Sequence, residues 1–529
     1  MKSFGVLVMV VALFAAVGCG KKDAKELTFV EGMVFEDVNE NGRKDDGEKG
    51  IGGILVSNQY DVVETNRKGR YKIPLHGENA TIFVIKPNSY DLPCNENMTP
   101  RFSYVHRPEG SPELKHEGLL PTGPLPESVD FPLLKIRKKS DRFDVVVFSD
   151  PQPRSNREID YIRDDIMSEL VDTEASFGIA LGDIMYDDLA LYDRYTRVVS
   201  SAGIPFFNVP GNHDMNYDAE DDRFALETFR RHFGPSYYAF EYGKVSFVVL
   251  DDVEWMGEDE EKGTSNYRGK LGNRQTAWLE NYLEHVPKDR LIVLTMHIPL
   301  YHEGDPDESV NVIDRDDVFD LLKERKHLLA IAGHMHLAEQ YDLDDAAGWM
   351  GTHRFQQITC TAVSGSWWSG PRNERGIPSA EQRDGVPNGY HVFSFDGNGY
   401  TQRFKPAGLS EDKQIRISSP TGKIRVTTES NLEVLANVFN GNEHSTVEYR
   451  LDGGEFIRME RTVTTDPFIA RLIKNNRKSY PDWIEPVPAL HIWTAPLPLD
   501  LETGAHTVTV RTTNEYGDMF SESSVFETE

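Results

Sequence analysis

Oxygen and imidazole side chains recur in this chain at the ends of short apolar runs, where a metal ion could collect its ligands. The run at 144–149 stops at Asp150, and the run at 177–182 stops at Asp183. The run at 205–210 enters Gly211-Asn212-His213-Asp214, and the run at 246–250 stops at Asp251 and Asp252. The run at 291–296 stops at His297, and the run at 328–332 enters Gly333-His334-Met335-His336. Carboxylate, amide and imidazole donors suit hard and borderline divalent cations. Such donors drawn from well-separated stretches imply one shared metal centre.

The elements that must position these donors follow from the runs themselves. Buried strands read as short β-branched runs bounded by turn residues. Open α/β sheets bind ligands beyond the carboxyl ends of their strands. Between the runs, residues 159–171, 189–201, 224–233, 276–286 and 318–326 space their apolar positions near 3.6 and are predicted helices. Strand alternating with helix specifies a layered α/β domain, placed at 141–406. Glycines 182, 211 and 333 permit sharp turns at the strand ends.

The flanks read differently. Residues 27–90 carry alternating apolar segments at 29–35, 54–57, 71–75 and 81–86, separated by Gly- and Asn-rich turns, and are predicted to form a small β-sandwich. Residues 91–140 are proline-rich at first, lack periodicity and read as a connector. Residues 413–529 return to strand-like segments at 415–418, 432–438, 447–451 and 506–512, with a hairpin turn at Asp452-Gly453-Gly454, and read as a second β-sandwich. No internal repeat is evident. A chain of 529 residues exceeds what one core organises, in keeping with this division.

The formal charge of −29 argues against binding nucleic acid or an anionic membrane through a basic face. An acidic protein can still bind phosphate when cations supply the local charge. Lys2, an apolar stretch over 4–17 and Gly18-Cys19-Gly20 have the form of an export signal over residues 1–19, too short for a membrane span. The stretch from Ala16 to Cys19 resembles a bacterial lipobox, which implies lipidation of Cys19. The expected location is the periplasm or outer membrane of a Gram-negative bacterium, with membrane contact only through that anchor. Cys94 and Cys360 are expected to be buried free thiols, their pairing left open.

Taken in order, Gly182-Asp183, Gly211-Asn212-His213-Asp214, His297 with Pro299, and Gly333-His334-Met335-His336 resemble the signature of calcineurin-like metallophosphoesterases, over roughly 141–405. The likeness is to secreted bacterial members with N- and C-terminal β domains. It implies a four-layer αββα sandwich and two divalent or mixed-valence metals, with Mn, Fe, Zn and Mg undistinguished. It also implies hydrolysis of a phosphomonoester or phosphodiester by attack of a metal-bridging hydroxide. By this resemblance Asp183 bridges, one metal takes Asp150 and His336, and the other takes Asn212, His297 and His334. His213 faces the scissile oxygen, and Asp214 orients its ring. The family's first strand end is usually Asp-x-His, whereas this chain has Asp150-Pro151-Gln152. Tyr186 stands as in the Gly-Asp-x-x-Tyr motif of purple acid phosphatases, so the first metal is completed by Gln152, by Tyr186 or by water. Gln152 is the favoured reading. Asp251 and Asp252 have no ligand role in the family and read as strand-end caps or supports.

Two further segments could bind ligands. Trp367, Trp368, Arg372, Arg375 and Arg383 combine rings with guanidinium groups and suit a ring plus a phosphate or carboxylate. The alternative is a packed loop with surface arginines. Asp37, Asn39, Asn41, Arg43, Asp45 and Glu48, with Gly42 at the turn, match the spacing of a calcium loop. The stretch resembles the calcium-binding B repeats of bacterial surface adhesins. An ion-free Asn/Gly-rich hairpin is the other reading. The expected partner is a small or medium phosphorylated substrate, with no protein partner evident. The competing function is a surface binding or scaffolding lipoprotein whose metal site has degenerated.

Overall fold

Two sheets meet through phenylalanine rings at the centre of the molecule. The computed structural model describes residues 28–136, 140–259, 264–426 and 432–529. The expected export signal with Cys19 lies outside these. One central sheet has the strand order Phe206–Val209, Phe177–Leu181, Arg142–Phe148, Gly389–Asp396, Gly399–Pro406. Its first three strands are parallel and the last two antiparallel. The facing sheet has the order Tyr238–Tyr242, Val245–Val249, Leu291–Thr295, Leu328–Ala332, Phe355–Thr359, Glu339–Asp342, with parallel central strands and antiparallel edges.

Every residue of Phe177–Leu181, Val245–Val249, Leu291–Thr295 and Leu328–Ala332 is buried. That is the signature of strands covered on both faces. Between the sheets, Phe207 stacks on Phe240 at 3.8 Å, and Phe177 meets Phe247 edge-on at 5.3 Å. On the outside lie amphipathic helices. Tyr192–Val199 buries Tyr192, Tyr195 and Val199, and Gly272–Leu283 buries Trp278, Leu279, Tyr282 and Leu283. The result is an αββα sandwich flanked by β domains. The helix expected at 159–171 starts earlier, at Asn156, where Ser155 caps it, and loosens into a π-turn over Ile162–Met167.

The N-terminal domain is two four-stranded sheets. Residues 91–140, read from the sequence as connector, supply strands to both. Ser103–His106 pairs with Ala80–Val84, and Phe131–Lys135 runs parallel to Phe29–Glu36. These strands are four and five residues long and lie among prolines, too short to show periodicity. The rest of the segment is clamped to the central domain. Arg107 Nε and Nη2 donate to Glu227 Oε2 and Oε1 at 3.0 and 2.9 Å, and Ser111 Oγ donates to Oε2 at 2.6 Å.

The C-terminal domain pairs a four-stranded with a five-stranded sheet. It also contains a helix the β reading did not include, Pro467–Asn475. Proline stands in its first turn, and the Asp466 carboxylate accepts from Phe468 N at 2.7 Å. Ile469 and Ile473 of this helix, with Tyr480 and Ile484, pack against Trp367 of the central domain. Cys94 and Cys360 are both free, the latter buried.

Arg107→Ala removes two hydrogen bonds from the fully buried Glu227, which keeps Arg230 Nη1 at 2.9 Å, and is expected to cost about 1.5–3 kcal/mol. Urea denaturation reads this directly, and an unchanged midpoint would show that the clamp contributes nothing.

Candidate metal centre

The parallel strands of both sheets end on the same side, and their last residues turn inward. Asp150, Gln152, Asp183, Asn212, His297 and His336 are each no more than 3% exposed, and His334 is half-buried. Five of these hold left-handed backbone without being glycine: Asp150 (φ +47°), Gln152 (+39°), Asp183 (+49°), His334 (+72°) and His336 (+51°). Such conformations are costly and persist only where surrounding structure enforces them. Space at the strand ends is equally tight. A Cβ on Gly211 would meet Asp183 N at 2.2 Å, and one on Gly182 would meet His297 Nδ1 at 2.6 Å.

Asp183 lies between two groups of donors. On one side, His297 Nε2 is 3.2 Å from Asp183 Oδ1, 3.0 Å from Asn212 Oδ1 and 3.1 Å from His334 Nδ1. His297 Nδ1 lies 2.8 Å from the Leu181 carbonyl oxygen, which can only accept. That contact places a proton on Nδ1 and turns the other nitrogen toward the cluster. On the other side, Gln152 Nε2 donates to Asp183 Oδ2. Asp150 Oδ1 and His336 Nε2 are 3.6 Å apart. His336 Nδ1 lies 2.6 Å from the Gly365 carbonyl, again leaving Nε2 as a lone pair. Asp150 Oδ1, Gln152 Oε1 and His336 Nε2 are all buried without a hydrogen-bond partner. Three buried unpartnered atoms, two of them 3.6 Å apart, fit a cation, because such atoms are otherwise expensive to bury.

The titration behaviour has the same cause. Burial, reinforced by Asp183 and opposed by His297, pushes Asp150 up to about 7. Burial opposes charging of His297, but the carboxylates of Asp183, Asp150 and Asp252 raise it to about 10. Asp183 is buried too, yet His297 and His213 hold it far below the usual carboxylate range. Burial and the neighbouring His297 depress His334 to about 3, and burial depresses His336 to about 3, so both are neutral imidazoles. In this arrangement a proton on His297 stands where positive charge is needed.

Asp252, fully buried behind the site, accepts from His297 N at 3.3 Å and supports that strand end.

His213 does not receive its orientation from Asp214. Its Nδ1 lies 2.5 Å from Asp187 Oδ1 and 3.2 Å from the Tyr217 hydroxyl. Asp214, fully buried, accepts from the backbone N–H groups of Gly211, Ile184 and Met185 at 2.9–3.2 Å and from the Tyr192 hydroxyl at 2.8 Å. It ties two strand-end loops together, because adjacent residues of a tight turn point in different directions. Asp187 was missed in the sequence; its signal was only its place next to the Gly-Asp-x-x-Tyr stretch. The structure stacks the Tyr186 ring on His213. Its ring lies 4.4 Å from the His213 ring at 21°, and the Arg154 guanidinium lies 4.4 Å from the Tyr186 ring. Arg154, also missed, pairs with no carboxylate among the described residues.

The Trp/Arg segment divides in the same way. Trp367 stacks on His336 at 3.8 Å and 15°. Arg383 lies 5.9 Å over the Trp367 ring. The others are structural. Trp368 is buried, and its Nε1 donates to the Pro151 carbonyl at 2.9 Å, bracing the turn that carries Gln152. Arg372 donates to the Tyr161 hydroxyl at 2.6 Å. Arg375 pairs with Asp165 and donates to the Asp164 carbonyl at 2.8 Å. Both clamp their loop to the helical segment beginning at Asn156.

In the N-terminal loop, Asp37 accepts from Asn41 N and Gly42 N, Asp45 from the side-chain amides of Asn39 and Asn41, and Glu48 from Val38 N and Asp45 N. Arg43 N donates to Asn41 Oδ1 at 2.8 Å. The loop's oxygens thus satisfy its own amides. Among the described residues its carboxylates are not gathered within 4.8 Å, as the ligand atoms of Asp183, His297 and His334 are.

A cation entering the centre must displace protons held by His297 and Asp150, so its affinity rises with pH. Calorimetric titration with Mn²⁺ in two buffers of different ionisation enthalpy should show proton release, and buffer-independent heats would contradict it.

Residues 38–116, 143–338 and 358–520 match, in order, the N terminal of calcineurin-like phosphoesterase, calcineurin-like phosphoesterase itself and the C terminal of calcineurin-like phosphoesterase. A probable glycerophosphodiester phosphodiesterase from Arcobacter nitrofigilis is 27% identical over 148 residues, 27% of this chain and 50% of that protein. The chain therefore spans about half the length of that curated relative. Among solved structures, a dimetal phosphatase from Danio rerio is 17% identical over 50% of this chain and 96% of its own, with a TM-score of 0.35. A purple acid phosphatase from yellow lupin (Lupinus luteus) seeds is 11% identical over 90% and 70%, with a TM-score of 0.31. The three matched regions run from the N-terminal sandwich to the last strands and enclose every donor described above. The chain belongs to the calcineurin-like phosphoesterase family, in the form that carries both an N-terminal and a C-terminal domain.

Proposed function

We propose that the protein hydrolyses a small or medium phosphate ester, a phosphodiester or phosphomonoester, with two divalent cations. The observation that carries this reading is Asp183, whose two oxygens face two separate groups of donors. Asp150, Gln152 and His336 would hold one cation and Asn212, His297 and His334 the other, with Asp183 shared. When bound, such a pair supplies a water acidified to near-neutral pH and charge to neutralise phosphoryl oxygens.

The chain's own residues do the rest. His213 Nε2 lies 4.0 Å from Asp183 Oδ2, at the half-exposed rim of the site. Burial opposes a charge on His213, but the Asp183 charge and the Asp187 hydrogen bond raise its pKa above the usual value. It can therefore carry a proton at Nε2 and give it to the departing oxygen. Asp187 fixes the ring through Nδ1, and Tyr186 supports its face. Arg154, beyond Tyr186, offers a guanidinium for a phosphoryl oxygen.

The same geometry speaks against the alternative of a binding protein with a degenerate centre. Gln152 fills the position of the usual histidine with a buried, unpartnered amide oxygen, so the donor set is altered and not lost. The export signal read at residues 1–19, with Cys19 as lipid anchor, adds the proposal that the reaction takes place outside the cytoplasm.

Hydrolysis of bis(p-nitrophenyl) phosphate or p-nitrophenyl phosphate should require Mn²⁺ or a similar cation, stop on chelation and return on re-addition. Asp183→Asn should lower bound metal at both positions by elemental analysis. Inactivity with every divalent cation would overturn the proposal. Asp187→Asn should keep its metal but lose roughly 10- to 100-fold in kcat. A wild-type kcat would show that His213 does not depend on that carboxylate.

A further inference from the structure

The aromatic content of the site does not stop at Trp367. The chain has seven tryptophans, and Trp255, Trp278, Trp349, Trp368 and Trp493 are at most 5% exposed. Trp483 is 53% exposed, although it belongs to the ordered C-terminal domain. Its ring meets Trp367 edge-on, with centroids 4.5 Å apart and planes at 76°. Trp367 in turn stacks on His336, one of the proposed ligands. The exposed indole is thus two ring contacts from His336.

The segment that presents Trp483 is firmly built. Tyr480 and Ile484 on either side are 5% and 0% exposed and pack with Ile469 and Ile473 of the helix Pro467–Asn475. Arg477 donates from Nη1 to the Ile484 carbonyl at 2.6 Å and from Nη2 to the Pro481 carbonyl at 2.9 Å. Val487 N donates to the Arg383 carbonyl at 3.0 Å, fastening the segment to the central domain. Arg383 lies over Trp367 and has a buried Nε without a partner, so a hydrogen-bond donor accompanies the rings. A rigidly held, exposed indole two ring contacts from a proposed ligand exposes apolar area that a substrate ring could cover.

We propose that Trp483 is a substrate-binding residue, contributed by the C-terminal domain, and that with Trp367 it forms an aromatic corner selecting phosphate esters that carry a planar ring. The proposal rests on the phosphoesterase reading above. A ring-bearing ester gains stacking that an aliphatic ester of the same phosphate cannot. The C-terminal domain is then part of the specificity of the enzyme as well as of its stability.

The test compares wild type, Trp483→Ala and Trp483→Phe in the full chain loaded with Mn²⁺. For bis(p-nitrophenyl) phosphate, KM should rise about tenfold in Trp483→Ala, the size expected of one lost stacking contact, and recover in Trp483→Phe. For glycerophosphoethanolamine, KM should not change. Equal changes for both substrates, or none for either, would overturn the proposal. A second arm does not need turnover. Adenosine 5′-monophosphate should quench tryptophan fluorescence in wild type and much less in Trp483→Ala, whereas glycerol 3-phosphate should quench neither. If wild type hydrolyses no ester, the functional reading fails, but the quenching comparison still decides whether Trp483 binds rings. Identical quenching of wild type and Trp483→Ala by adenosine 5′-monophosphate would overturn this proposal alone.

Discussion

Buried negative charge is the constraint on which the rest of the structure depends. Asp150, Asp183 and Asp252 are all within 1% of complete burial and lie close to one another at the strand ends. Carboxylates removed from water this far need compensating positive charge. Protons on His297 and Asp150 meet part of that need, and unpartnered atoms of Asp150, Gln152 and His336 mark what is left over. The proposed pair of cations would satisfy both. The backbone strain at five of the donors is the cost of aiming them at one place, of order 1–3 kcal/mol for each residue.

What holds strained donors in position is the packing beneath them. Parallel strands necessarily end on the same side, so donors from distant segments arrive together without long loops. The phenylalanine contacts between the sheets fix the spacing of donors that each group draws from opposite sheets, since close-packed rings leave little freedom to slide. Outside the sandwich, Trp368 braces the turn carrying Gln152, and Asp214 binds the loop after Phe206–Val209 to the loop after Phe177–Leu181. Neither residue is among the proposed donors. Their contribution is to keep Gln152 and Asn212 where the donors are.

The two flanking domains differ in what they do. The N-terminal sandwich and its connector grip the central domain through the Arg107–Glu227 pair and through Trp278, whose Nε1 donates to Ser57 Oγ at 3.0 Å. These contacts lie on the outer faces and act on stability. The C-terminal domain reaches the rim of the site, since its helical insertion packs on Trp367 and presents Trp483. A flank that read in the sequence as a plain β domain therefore sits beside the proposed metal centre.

The family, the α/β architecture and the donor types were legible in the sequence because each is written locally. A strand is visible as an apolar run such as 291–296, and a ligand as the residue that ends it, His297. The short strands at Ser103–His106 and Phe131–Lys135 were not legible, because a few residues among prolines carry no period. The partner of His213 was not legible either. Asp214 is adjacent in sequence, but the turn sends its carboxylate to backbone amides and leaves the ring to Asp187. Nor could composition tell Trp367 from Trp368, which are neighbours with opposite directions, or bring Trp483 across from another domain. The sequence by itself determined which chemical groups stand at which strand ends. Tertiary structure decided which of them face one another, since side-chain direction depends on turns and long-range packing that no local pattern encodes.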